Sequence, residues 1–321
     1  MRVRPLLLVT TFAFTASAQT RTEHRPAPAD SAAIHNVFWQ PNELHQGSPI
    51  FLTVELERPA TRVTGSLIDK TITFFRDPKD AKTWHALAGV DLFAEPGQYR
   101  LDVTATLAGG RIARHTDQVN VVAGDFKTGD ITVPQNYVTP TDTEQKQIAQ
   151  DEVLKKRAYA HTASHPLWSG DFIKPVDAPS TPTFGESRIL NEEKTSLHTG
   201  TDFPCPEGTT VRVANSGTVV LVRDLFYEGN TVIVDHGLGL FTVYLHMSRI
   251  DVHQGDKLDK GAKLGLSGAS GRVTGPHLHF GVRWNGVWID PVQVLALTLP
   301  RTTAQPTAKS HEVRRPVAHT R

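Results

Sequence analysis

A single cysteine, Cys205, stands among 321 residues, so no intrachain disulfide can form and the fold must rest on burial alone. No sign of charge dominates: 34 Lys and Arg face 33 Asp and Glu spread along the chain, a net charge of +1 that argues against nucleic acid as the main partner. After the N-terminus no apolar stretch is long enough to cross about 30 Å of hydrocarbon, which excludes stable insertion in a membrane. At this length the chain can bury about two separate cores. Its 24 Gly and 21 Pro predict a turn-rich β protein.

The first residues read MRVRPLLLVTTFAFTASAQT, with Arg2 and Arg4, an apolar stretch of about ten residues, and small residues at Ala16, Ser17 and Ala18. This pattern predicts a secretory signal peptide over residues 1–18, cut after Ala18, and export to the periplasm or the extracellular space. No cysteine follows the small residues, so a lipid anchor is not expected. Residues 19–33 are polar and rich in Pro and Ala, a disordered leader.

Residues 34–125 hold short alternating runs such as IFLTVEL and YRLDVTA, punctuated by Gln46-Gly47, Pro96-Gly97 and Gly109-Gly110. They predict an immunoglobulin-like β-sandwich. Residues 126–183 read as a Pro-containing linker with one helix over 142–160, carrying Ile148, Val153 and Leu154. Strand patterns return over 184–298, as in TVIVD and LFTVYL. Residues 299–321 predict a polar, basic, disordered tail suited to anionic wall polymers. The fold class is therefore mostly β, two β units joined by a linker.

The stretch TGPHLHFGVRWNG places His277 and His279 two apart, on one face of a strand. Alone, such a pair is more often a surface or hydrogen-bonded pair than a site. A second stretch, SLHTGTDF, sets His198 and Asp202 four apart, on one side of a strand, with Gly200 and Pro204 disfavouring a helix. A third, VYLHM, ends an apolar strand on His246. Catalytic zinc takes three protein ligands from His and carboxylate and leaves a fourth position for water, and His198, Asp202 and one histidine of the pair can supply that set.

In that order the motifs resemble the zinc metallopeptidases of the lysostaphin and LytM type, peptidase family M23, which cleave peptide bonds in bacterial peptidoglycan. Phe184-Gly185 with Arg188, HTGTDFPCPEGTTV, VIVDHGLG, TVYLHMS, VHQGDKLDKGAKLGLSG, TGPHLHF and IDP carry the resemblance over about a third of the chain. It implies an antiparallel β catalytic fold and one Zn²⁺ per chain, held by His198, Asp202 and His279. His246 and His277 fall at the catalytic pair, one to accept the water proton and the other to stabilise the oxyanion; the sequence leaves the division between them open, with His277 preferred as base. The implied partner is peptidoglycan. The sequence departs from the pattern at Cys205, Val273 and Gly281, none of them a ligand or catalytic position. Because some relatives lose one of the five residues and act only as regulators, a non-catalytic wall-binding or activator protein is the alternative.

Other residues have plainer readings. Cys205 is expected to be a small buried hydrophobe, since a fourth protein ligand would close the site to water. His236, before Gly237 and Gly239, reads as a structural hydrogen-bonding residue. Tyr244 shares strand parity with His246 and is left between an oxyanion donor and a packing aromatic. The turn series VHQGDKLDKGAKLGLSG is similar to that of biotinyl and lipoyl carriers, but no lysine is displayed in their hairpin motif.

Overall fold

The computed structural model describes residues 33–302. The expected signal peptide, most of the leader and most of the tail lie outside these residues. Among the described residues no helix is long and apolar enough to cross a membrane.

Period-2 burial builds the N-terminal half. In the strand Gly97–Leu107, Leu101, Val103, Ala105 and Leu107 are buried while the residues between them reach the surface. This strand pairs antiparallel with Ala60–Leu67 and Ile112–Val122 in a five-stranded sheet. The second sheet has the order Ile34–Gln40, Pro49–Leu56, Thr83–Gly89, Phe75–Arg76. Its inner strands are buried along nearly their whole length, which requires partners on both faces. The rest of the chain supplies some of them: Gly89 lies where any Cβ would be 2.3 Å from Ile289 of the C-terminal half, and on the edge strand Phe75 meets Trp168 edge-on at 5.4 Å.

The segment expected to be a linker is docked along its length. Strand Thr128–Ile131 runs parallel to Ser187–Leu190. The helix Asp142–Ala158 begins at a capping box in which Thr141 and Glu144 satisfy each other's backbone donors, and it ends two residues before the expected boundary. Of the larger apolar residues it carries, Val153 is 48% exposed and Leu154 packs with Ala158 and Tyr159 on the sheet residues Phe241, Val243 and Leu245. Polar contacts complete the docking. Asp151 accepts from the Phe226 N–H at 2.8 Å, and Lys155 pairs with Glu228 at 2.5 Å. Trp168, Phe172 and Val176 are buried in the main core. Asn215, fully buried, donates to the carbonyls of Gly170 and Asp171 and accepts from Ser169. Apolar burial and these satisfied groups hold the segment against the C-terminal half.

The C-terminal half is built on a seven-stranded antiparallel sheet. Its order is Thr201–Pro204, His277–Trp284, Leu240–Met247, Gly229–Asp235, Gly217–Leu225, Lys257–Leu258, with Val287–Ile289 pairing beside His277–Trp284. One face carries Phe203, Tyr244 and Phe280 into the main core. The other carries Ile233, Phe241, Val243 and Leu245, where the long helix covers part of it. Two expected edges need correction. Ala33, assigned to the leader, is 1% exposed and belongs to the core. Residues 299–302, assigned to the tail, are packed: Leu299 is buried and its N–H donates to Asp171 at 2.7 Å, while Thr302 donates from its N–H to Ser169.

Candidate active site

Strand register brings the site together. Thr201–Pro204 pairs antiparallel with His277–Trp284 so that Asp202 lies opposite His279 and Pro204 opposite His277. Leu245 lies opposite His279 on the other side. His198 arrives from the turn before this strand, anchored by its N–H to Glu186 O at 2.9 Å and its C=O to Gly185 N at 2.8 Å. Gly200 lets the chain pass under the His279 ring: an added Cβ there would stand 2.4 Å from Nε2.

Three donor atoms converge. His198 Nε2 is 2.8 Å from His279 Nδ1 and 3.1 Å from Asp202 Oδ1, and the last two are 3.2 Å apart. A tetrahedral zinc with bonds of about 2.0–2.1 Å has ligand–ligand edges of roughly 3.3 Å, so the triangle is close to one face of such a polyhedron. Hydrogen bonds outside the triangle orient its corners. His198 donates from Nδ1 to the Thr183 carbonyl at 2.7 Å, which leaves a lone pair on Nε2. Arg188 donates to Asp202 Oδ2 at 2.8 Å and turns Oδ1 toward the histidines. Two imidazole lone pairs and a carboxylate oxygen facing one point fit a cation. Among the described residues this is the one group of three or more His, Cys, Asp or Glu side chains arranged to hold a metal ion.

The electrostatics agree with that fit. Burial opposes ionisation of Asp202, but its close polar contacts with His198 and His279 outweigh that and hold the carboxyl well below its ordinary range. Burial lowers His279 to about 4, so the ring is neutral, as a ligand must be.

His246 and His277 stand beside the triangle. Their ring centroids are 5.0 Å apart, and His246 is 6.0 Å from His279. His277 donates from Nδ1 to Gly275 O, and His246 from Nδ1 to Ser270 O, both at 2.8 Å. Each Nε2 is thereby left as the free nitrogen of the neutral ring. Strand alternation alone would send His246 to the core side with Tyr244. Its φ of 63° is a left-handed conformation that turns it out toward His277, at a cost of about 1–2 kcal/mol for a residue with a Cβ.

Tyr244 does not reach the site. It is fully buried on the core face, accepting from Ala214 N at 2.8 Å and 3.0 Å from Thr242 Oγ1. The oxyanion reading is therefore replaced by packing. His236 joins that buried chain through Thr242 Oγ1 at 2.7 Å and Ser216 O at 2.8 Å. Cys205 is buried within the core cluster. The carbonyls of Thr183, Ser270 and Gly275 carry no sequence signal, because any residue offers a C=O. Arg188 was visible only as part of a motif, since its contact with Asp202 spans two strands that the chain does not place together by spacing.

Two imidazoles and a carboxylate converging on one point, flanked by two further imidazoles on an antiparallel sheet, make a donor set that could hold a single metal ion. Residues 196–291 match the model of Peptidase family M23, and the C-terminal region is an M23 peptidase domain. The peptidoglycan DD-endopeptidase ShyA of Vibrio cholerae is 41% identical over 114 residues, 36% of this chain and 26% of ShyA. The DD-carboxypeptidase/endopeptidase Mpg of Neisseria meningitidis is 40% identical over 107 residues, 33% of this chain and 24% of Mpg. The chain thus spans about a quarter of the length of these curated relatives. A solved structure described as a peptidase M23 from Pseudomonas aeruginosa superposes with a TM-score of 0.58 at 28% identity, over 78% of this chain and 96% of that one. That superposition extends beyond the matched 196–291.

Proposed function

We propose that the protein is an exported, zinc-dependent endopeptidase that hydrolyses peptide bonds in the stem peptides or cross-links of peptidoglycan. The observation that carries this reading is the meeting of the three donor atoms at 2.8–3.2 Å with two further imidazoles whose Nε2 atoms are free. The names of the ShyA and Mpg relatives support peptidoglycan as the substrate.

His198, Asp202 and His279 hold the ion. Bound there, zinc polarises the scissile carbonyl and lowers the pKa of water toward about 7. His277 accepts the proton of the attacking water at Nε2. That atom is 3.6 Å from Asp202 Oδ1, on the side of the metal-binding triangle. Neutral His246 cannot donate from Nε2, because Ser270 O holds its proton on Nδ1. Burial, with His279 and His277 alongside, also holds its pKa well below 6.5. The His277 imidazolium passes its proton to the leaving amine as the C–N bond breaks, and His246 stands beside it as the second imidazole of the pair, ring centroids 5.0 Å apart.

Incubation of purified protein with peptidoglycan sacculi, with zinc, with a chelator, and as His277→Ala, tests this reading. Zinc-loaded wild type releases new peptide termini, and the other two arms do not. Absence of new termini from the zinc-loaded wild type would leave the non-catalytic, wall-binding alternative.

A further inference from the structure

A groove of about 820 Å³ opens between the long helix and the sheet, running from Thr199 and His279 to Asn285 and Gly286. Its track is the strand His277–Trp284, where positions 277, 279, 281 and 283 share one face. Arg283 therefore lies on the same face as His279, about 13 Å along the strand at about 3.3 Å per residue. Between them Gly281 keeps the strip flat; a Cβ there would stand 3.1 Å from Trp288.

Among the described residues no carboxylate pairs with Arg283. Its guanidinium lies 4.2 Å from the Tyr159 ring centroid and 5.7 Å from that of Trp288. Its Nε is buried with no hydrogen-bond partner among the described residues. The two acids of the groove wall, Glu152 and Glu228, are held by Lys155 at 2.7 and 2.5 Å. Lys155, Lys156 and Arg283 against Glu152 and Glu228 leave the wall with one excess positive charge. A buried N–H with no acceptor is costly, and a planar guanidinium fixed by stacking presents its fork to a carboxylate in a ready geometry.

We propose that Arg283 binds a carboxylate of the peptide substrate, side-chain or terminal, lying within about four residues of the cleaved bond. The distance follows from the spacing of His279 and Arg283, since four extended residues span roughly 13–14 Å. The proposal rests on the endopeptidase reading for the identity of the ligand. A guanidinium that only stacks on Tyr159 to hold the helix in place would show no preference between an acid and its amide.

The test uses two synthetic cross-linked stem peptides that differ only in one carboxylate, free in the first and carboxamide in the second. Binding to the wild-type protein is measured by calorimetry, and cleavage by kcat and KM with zinc. The free acid is expected to bind about tenfold more tightly or better, as a charge-assisted pair gives, with the difference in KM rather than kcat. Arg283→Gln brings the ratio close to one, and Arg283→Lys restores part of it. Equal affinity of the wild type for acid and amide overturns the proposal without any variant, as does an unchanged ratio in a folded Arg283→Gln. Discrimination in binding with no cleavage of either peptide would sustain the carboxylate site and overturn the endopeptidase reading instead.

Discussion

Gly200→Ala is expected to remove metal binding through one methyl group. The added Cβ would lie 2.4 Å from His279 Nε2, 2.7 Å from its Cε1 and 2.6 Å from the carbonyl oxygen of Phe280. Ordinary carbon contacts begin near 3.5 Å, so the imidazole must retreat by about 1 Å. The Phe280 carbonyl belongs to a central strand, so the backbone cannot give way cheaply in its place. Metal coordination tolerates displacements of about 0.2 Å, so a shift of 1 Å takes His279 Nδ1 out of range of an ion held by His198 and Asp202. Overpacking of this kind costs about 1–3 kcal/mol, less than the usual stability of a domain, so the variant remains folded. Zinc affinity should fall about 100-fold or more, read by competition against a chromophoric chelator, with circular dichroism confirming the β signature. A folded Gly200→Ala that binds zinc as tightly as wild type would refute the assignment of His279 as a ligand in this geometry.

Asp202→Ala and His279→Ala should each lower the zinc content of purified protein, and stoichiometric zinc in the Asp202 variant counts against its role. His246→Ala should retain the metal and lose about 10²–10⁴-fold in turnover on sacculi, and unchanged turnover removes it from the mechanism. His236, fully buried, has its pKa lowered to about 4 by burial, against 6.5 when unfolded. Between those values the unfolded chain binds more protons, so this contribution to stability is complete above pH 6.5 and is lost as pH falls toward 4, about 3 kcal/mol in all. Denaturant titrations from pH 7 to 4 should show this loss in wild type and a smaller one in His236→Gln, and parallel curves would contradict it. Asn215→Ala leaves the N–H groups of Ser169 and Ser216 and the carbonyl of Gly170 without this partner, while Asp171 O keeps Lys260 Nζ. A loss of about 2–4 kcal/mol is expected, with faster proteolysis within residues 160–182, and unaltered proteolysis would show that Asn215 does not hold the segment.

Local chemistry was legible without the structure. Side-chain alternation marks the strands of both halves because a sheet with one buried face imposes a period of two. The pairs His277/His279 and His198/Asp202 could be read as convergent because one strand or turn fixes each spacing. The capping residues Thr141 and Glu144 likewise start the helix by local hydrogen bonding. Segments such as 160–182, with few periodic apolar residues, read as a free linker. Their burial depends on Trp168, Phe172 and Asn215 finding partners far away in the chain, and local pattern is silent on that.

By itself, then, the amino-acid order determined a mostly β chain, through spacing within strands, and the pairs His198/Asp202 and His277/His279, while the full set of five with His246 followed from the motif order shared with the M23 peptidases. Only the tertiary structure decided which faces they share. The antiparallel register sets Asp202 against His279, and Arg188 reaches across from another sheet to aim the carboxylate. The left-handed backbone at residue 246 turns that imidazole away from Tyr244 and toward His277. It took the same folding to leave Arg283 on the groove face with no ion pair among the described residues, because the two acids of the groove wall are claimed by Lys155, on a helix more than a hundred residues away in sequence. Such pairings are properties of strand register and packing, which act between segments that spacing along the chain cannot relate.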